Sequence, residues 1–123
     1  MNADELKIRT NDFALRVIKL VSELPKTIEG PAIANQIVRS GTSVPTNYRA
    51  TCRTRSRTEF VAKLGIVLEE ADETLLWLEL MVTAKLLPPR RVEPSLREAD
   101  ELVAIMAASR KSALAPTNLK SAI

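Results

Sequence analysis

The sequence predicts an all-α protein, an antiparallel up-down-up-down four-helix bundle with a proline-kinked second helix. Apolar residues recur at three- and four-residue steps in four segments, prolines interrupt those segments, and no stretch alternates as a strand does. The chain has 123 residues, of which 46% are hydrophobic and 3% aromatic, which fits one domain with an aliphatic core. We predict a single domain over residues 1–123, with a core over 11–114 and a flexible tail over 115–123.

The first two helices are separated by a short loop. Apolar residues repeat at helical spacing over residues 11–24, and Pro25 ends that helix. The second helix is predicted over residues 31–53, because Pro31 suits a first helical position. Pro45 removes a backbone donor inside this segment. Since the apolar phase continues across Pro45, we predict one kinked helix rather than two short ones.

The third helix has the clearest pattern. Ser56 and Glu59 form a capping box, in which each side chain accepts from a free amide of the first turn. A 3.5-residue apolar repeat follows, which is typical of left-handed bundle packing. Its members are Val61, Leu64, Leu68, Ala71, Leu75, Leu78 and Val82. The helix is predicted to end near Leu87, before two prolines.

The fourth helix is predicted over residues 94–114. Ser95 and Glu98 have the spacing of a second capping box, with Pro94 at or just outside the first turn. The apolar stepping continues through Leu96, Ala99, Val103 and Met106.

One stretch of the third helix is more apolar than a monomeric bundle requires. Residues 75–82 are apolar on nearly every side, although a bundle helix buries only one stripe. Leu76, Trp77 and Leu80 therefore predict a surface for self-association. The alternative is that the second helix or the tail covers them.

The composition excludes many kinds of catalytic site. The chain contains no histidine and one cysteine, which excludes histidine-dependent nucleophiles, histidine-containing metal motifs and an internal disulfide. We predict no catalytic residue and no cofactor, and Cys52 is expected to be a small, partly buried helix residue. One remote alternative is a Mg²⁺-dependent nucleotide pyrophosphohydrolase, since carboxylates on two helices could converge on a metal. These are Glu69, Glu70, Glu73, Glu98 and Glu101.

The sequence also bears on location. The first ten residues are polar and mixed in charge, unlike a signal peptide. The most apolar stretch, residues 75–87, is interrupted by Glu79 and Lys85 and is too short to span a bilayer. Together with an unpaired cysteine, these features predict a cytoplasmic protein.

The net charge of +3 is distributed unevenly. Residues 36–63 carry six cations against the single carboxylate of Glu59, whereas the remainder of the chain is slightly acidic. The cations are Arg39, Arg49, Arg53, Arg55, Arg57 and Lys63. We call these six residues the basic corner. Because the arginine guanidinium binds phosphate with two parallel hydrogen bonds, the basic corner predicts contact with the backbone of RNA or DNA.

A structural interpretation of the same charges is equally open. The third helix carries an acidic strip with no basic residue between positions 66 and 80. Its members are Glu69, Glu70, Asp72, Glu73 and Glu79. In an oligomer, the basic corner of one subunit could pair with the acidic strip of a neighbour.

Several segments together resemble one family. The runs at residues 37–49 and 64–74 are similar to sequences of the four-helix bundle family named for 23S rRNA intervening-sequence proteins, also called S23-like. The shorter matches are Cys52-Arg53, Arg55-Ser56, Glu59-Phe60 and Trp77-Leu78-Glu79-Leu80. The resemblance extends over about residues 11–114, nearly the whole chain.

The resemblance implies an antiparallel bundle with a kinked second helix and a homo-oligomer, typically a five-fold ring. It implies no established enzymatic activity. A related branch, the accessory variability determinant of diversity-generating retroelements, is a basic pentamer that works with a reverse transcriptase and nucleic acid. Nucleic-acid binding by this bacterial family member is therefore an expectation.

Overall fold

The computed structural model describes residues 1–115, which form four α-helices and no strand. The helices are α1 (Ala3–Val21), α2 (Glu29–Thr51), α3 (Arg57–Thr83) and α4 (Pro89–Leu114). Each helix packs against its neighbours along the chain, and α4 also packs against α1. The predicted all-α bundle of four helices is confirmed. Of the predicted tail, residues 116–123 lie outside the described residues.

Ion pairs between the first and last helices give their relative direction. Arg9 near the start of α1 contacts Glu98 in the middle of α4, whereas Glu23 just after α1 contacts Arg91 at the start of α4. The later residue of the first helix region, Glu23, thus meets the earlier residue of α4, Arg91. These two helices therefore run in opposite directions. Pro45 lies inside a continuous α2. The complete up-down-up-down order and a kink at Pro45 stay predictions.

The first helix begins eight residues before its predicted start. The side chain of Asn2 accepts a hydrogen bond of 2.8 Å from the backbone N–H of Glu5, which satisfies one of the free amides of the first turn. Asp4 and Glu5 add negative charge where the helix dipole favours it. The core starts early as well, because Leu6 and Thr10 are buried.

The fourth helix begins at Pro89, so the prediction of a start near Pro94 is wrong. Pro88 is the N-cap and Pro89 takes the first helical position, where a missing N–H costs nothing. The predicted second capping box is also wrong, because Ser95 is buried inside the helix and Glu98 binds an arginine.

The start of α3 is confirmed, whereas its buried stripe and its end differ from the prediction. Ser56 is the N-cap and its hydroxyl accepts from the N–H of Glu59 at 3.1 Å. Positions 68, 75 and 82 of the predicted repeat are only half-buried, and Val67, Thr74 and Met81 are fully buried instead. Since α3 packs against both α2 and α4, its buried face is set by two neighbours rather than one.

The end of α3 is a Schellman motif. The N–H of Leu86 donates to the carbonyl of Met81 at 2.9 Å, and the N–H of Lys85 donates to the carbonyl of Val82 at 3.0 Å. This pair of bonds requires a left-handed residue between the helix and its exit. Lys85 takes that conformation, with a φ of 58°. The helix therefore ends at Thr83, several residues before the predicted end near Leu87.

Candidate nucleic-acid interface

A basic groove lies between the start of α1 and the end of α2. It has a volume of about 400 Å³ and is lined by Lys7, Ile8, Asn11, Arg49 and Arg53. An adjoining hollow of about 280 Å³ shares three of these residues. Its lining residues are Asn11, Pro45, Thr46, Arg49, Ala50 and Arg53. Neither hollow has a carboxylate in its lining, so both present positive charge.

The structure divides the six predicted cations among separate places. Arg49 and Arg53 line the basic groove, and Arg55 and Arg57 are exposed in the loop and first turn that follow. Arg39 lies ten residues before Arg49, about 15 Å away along the helix axis. The sixth cation, Lys63, is half-buried on α3.

None of these six cations pairs with a carboxylate within residues 1–115. Other arginines of the chain do pair: Arg9 with Glu98 and Glu101, Arg91 with Glu23, and Arg97 with Glu93. The acidic strip on α3 likewise has no ion pair inside the described part of the subunit. Neither charged surface is therefore neutralised by an ion pair within the described part of the subunit.

Lys7 is a member of the groove that the sequence analysis missed. With α1 predicted to begin at residue 11, Lys7 fell outside every element. The N-cap pattern at Asn2, followed by Asp4 and Glu5 in the first turn, was the signal that would have placed it on the helix.

The carboxylates of α4 have an arginine as their partner. Arg9 donates to Glu98 through Nε and Nη2, each at 2.7 Å, and Nη2 also lies 2.8 Å from Glu101. The hydrogen bond with Glu98 contributes most to raising the pKa of Arg9 above its ordinary value. No group of three metal-ligating side chains occurs in residues 1–115. Two of the five carboxylates considered for a magnesium site, Glu98 and Glu101, are therefore bound by an arginine.

Tyr48 and Cys52 lie one turn apart at the end of α2. Tyr48 is buried, and this burial, with a smaller contribution from a hydrogen bond with the Cys52 thiol, raises the phenol pKa far above its usual range. Cys52 is half-buried and caps the helix. As expected, it is a partly buried residue at the end of a helix.

The predicted association surface is partly open. Leu76 and Leu80 are 51% and 37% exposed. Trp77 packs against the core instead, and its indole N–H is buried without a hydrogen-bond partner in the described residues. A second exposed apolar stripe, which the sequence analysis missed, lies on α1. It consists of Ile8, Leu15 and Ile18.

These features define a small helical-bundle protein with an unpaired basic surface. None of the helices within residues 1–115 is long and apolar enough to cross a bilayer. Residues 5–108 match the family described as 23S rRNA-intervening sequence protein, and the chain belongs to that family.

A solved structure supports the same relationship. The chain is similar to a protein of unknown function from the S23 ribosomal protein family of Bacteroides thetaiotaomicron, with 31% sequence identity and a TM-score of 0.82. The match covers 90% of this chain and 99% of that one. No curated protein matches the sequence.

Proposed function

We propose that this protein is a non-enzymatic, cytoplasmic homo-oligomer that binds RNA or DNA weakly and independently of sequence. The proposed binding residues are Arg39, Arg49, Arg53, Arg55, Arg57 and Lys63. One observation carries this proposal: none of the six has a carboxylate partner within residues 1–115, although arginines elsewhere in the chain do.

Phosphate is the ligand chemistry that suits such a surface. Five of the six groups are guanidinium ions, which stay charged and bind phosphate oxygens with two parallel hydrogen bonds. No aromatic side chain lines the groove, so stacking on bases contributes nothing there. Binding through phosphates alone is insensitive to base sequence.

We also propose that the subunits associate through Leu76, Trp77 and Leu80, with a pentamer favoured by the family resemblance. The exposure of Leu76 and Leu80 supports this surface, because contiguous exposed apolar side chains commonly mark interfaces. Trp77 is half-buried and packs against the core, so it would contribute a smaller area to this interface than the two leucines.

The nucleic-acid proposal is tested by an electrophoretic mobility shift at low and moderate salt. We expect the wild type to retard a labelled RNA at low salt and to release it steeply as salt rises. The double variant Arg55→Ala/Arg57→Ala removes two exposed cations and should weaken retardation. Arg90→Ala, an exposed arginine at the start of α4, is the matched control and should behave as wild type. Absence of any shift at low salt would remove the proposal.

A second candidate function is a protein-interaction scaffold whose arginines pair between subunits. The unpaired acidic strip on α3 favours it, since that strip offers a complementary charge. In this case the oligomer itself, measured by light scattering, dissociates with increasing salt, and no nucleic acid binds. If the mass is constant with salt while RNA is released, nucleic-acid binding is the better account.

The association surface has its own test. Leu76→Glu/Leu80→Glu places two charges on the proposed interface and should convert the oligomer to a monomer by light scattering. Leu114→Glu changes a comparably exposed leucine at the end of α4 and should leave the mass unchanged. A wild-type protein that is monomeric at micromolar concentration would contradict this proposal.

A further inference from the structure

We infer that the groove between α1 and α2 is a binding site for the backbone of a single nucleic-acid strand, with Lys7 and Asn11 as binding residues besides Arg49 and Arg53. This inference rests on the proposed nucleic-acid binding. It specifies that the ligand is single-stranded and that it binds in this groove. The groove joins two hollows of about 400 and 280 Å³ through shared lining residues.

The groove offers three cations and a free amide. Lys7, Arg49 and Arg53 have no ion pair within residues 1–115, and the side chain of Asn11 makes no hydrogen bond inside the described subunit. An amide N–H₂ donates to phosphate oxygens as readily as to protein acceptors. These four side chains therefore present donors and positive charge without an internal competitor.

The spacing of the cations fits successive phosphates. Arg49 lies in the last turn of α2, and Arg53 lies in the turn directly after that helix, four residues further along the chain. Each can therefore meet a different phosphate of the same strand. Lys7 faces them from α1 across the groove, so the strand is held from both sides.

The shape of the site favours one strand over two. The groove is the crevice between two neighbouring helices, whose axes in packed pairs lie about 8–10 Å apart. One phosphodiester chain can lie along such a crevice, whereas a duplex is too wide to enter it and would contact it with the backbone of one strand only. Ile8, 65% exposed at the edge of the groove, gives the sugars an apolar surface, and no aromatic side chain is present to select a base.

A preference for single strands is diagnostic because simple charge attraction predicts the reverse. A duplex has a higher density of phosphate charge and a stronger salt dependence than a single strand. A flat basic patch would therefore bind the duplex more tightly. A groove that admits only one strand reverses the order.

The test is fluorescence anisotropy with the full chain and two labelled probes, a 20-nucleotide oligo(dT) and a 20-base-pair duplex, over a salt series. We expect the single strand to bind at least threefold more tightly. Its affinity should fall with salt on a log–log slope of about −2, which corresponds to three neutralised phosphates. Inorganic polyphosphate should compete, because the phosphates carry the recognition.

Variants locate the site. Lys7→Ala should weaken single-strand binding and reduce the slope by about 0.7, the effect of one lost phosphate contact. Lys7→Arg should restore it, and Asn11→Ala should weaken affinity without changing the slope. Arg90→Ala, next to the Arg91 that pairs with Glu23 at the far end of α1, is the control. Both groove residues are exposed, so helicity by circular dichroism should be unchanged.

The outcomes separate this inference from the proposed function. If the wild type binds neither probe at low salt, both fail. If it binds, but Lys7→Ala and Asn11→Ala match the wild type while Arg55→Ala/Arg57→Ala does not, the loop is the site and only the groove is rejected. Tighter binding of the duplex likewise rejects the groove and leaves the broader proposal in place.

Discussion

Thr74 on α3 donates a hydrogen bond of 2.8 Å to the hydroxyl of Ser40 on α2, and both side chains are fully buried. Each also has a carbonyl of its own helix within reach, since Thr74 lies 2.8 Å from the Glu70 oxygen and Ser40 lies 3.3 Å from the Ile37 oxygen. The polar pair is therefore satisfied inside an apolar interface, and it fixes one position of α2 against α3.

Replacing the threonine of this pair should destabilise the bundle. Thr74→Val keeps the shape but leaves Ser40 with only its long bond to Ile37, so we expect a loss of about 1–2 kcal/mol in the free energy of unfolding. Thr83→Val is the control, because Thr83 makes the same bond to its own helix but is exposed. Urea denaturation measures both. Equal effects would show that the contact across the helices contributes nothing.

The Schellman motif at the end of α3 offers a stabilising substitution. Lys85 holds a left-handed conformation that glycine adopts without the clash of a Cβ atom. Lys85→Gly should therefore raise the free energy of unfolding by about 1 kcal/mol. Lys85→Ala, which keeps the Cβ, should give no such gain. Thermal denaturation of the two variants distinguishes the backbone effect from the loss of the lysine charge.

Two glycines should respond differently to the same change. A Cβ at Gly30 would overlap the carbonyl oxygen of Pro25, a backbone atom, so Gly30→Ala should destabilise the fold by more than about 2 kcal/mol. At Gly65 the nearest atom is the side-chain Nε of Arg110 at 3.2 Å. Because that side chain is flexible and alanine favours helix, Gly65→Ala should stay within about 1 kcal/mol of wild type. Chemical denaturation provides the comparison.

Tyr48 should make the fold sensitive to alkali. Its pKa is raised in the folded protein, chiefly by burial, so the folded state binds the phenolic proton more tightly than the unfolded chain does. This contribution is complete below the ordinary tyrosine pKa of about 10 and is lost as pH rises beyond it. We expect stability to decline above pH 10 and Tyr48→Phe to reduce that decline.

The titration can be followed directly because the chain contains a single tyrosine. The ultraviolet absorbance of phenolate should appear at a higher pH in the folded protein than in urea. Coincident titration curves would contradict the burial argument.

Local sequence rules predicted the number of helices and the start of α3, but they did not locate every boundary. Ser56 and Glu59 form a local motif, so its structure follows from neighbouring residues alone. The α4 start was missed because two prolines compete for the same role, and Pro94 fits inside a helix that packing against α1 and α3 holds in place. The burial of Thr74 was missed because a polar residue does not count toward an apolar repeat. Thr74 can be buried because its hydroxyl has hydrogen-bond partners inside the fold, and a sequence pattern does not show those partners.

The candidate site was predictable as a concentration of charge but not as a shape. The excess of arginine over residues 36–63 is a property of the sequence. That Arg49 and Arg53 share a groove with Lys7, some forty residues earlier, depends on how α1 lies against α2. The separation of Arg39 from Arg49 follows from helix geometry alone. That neither arginine forms an ion pair could be known only from the positions of all the carboxylates in the described residues.

The ion pairs between α1 and α4 affect how the subunit opens. These helices pack less extensively than the other neighbouring pairs, and Arg9 and Arg91 join them near the two ends of α1. The Arg91–Glu23 pair is substantially exposed, and exposed ion pairs contribute little and are screened by salt. We therefore expect α1 to separate first along its boundary with α4, and the amides of α1 to exchange with deuterium sooner than those of α3, increasingly so at high ionic strength.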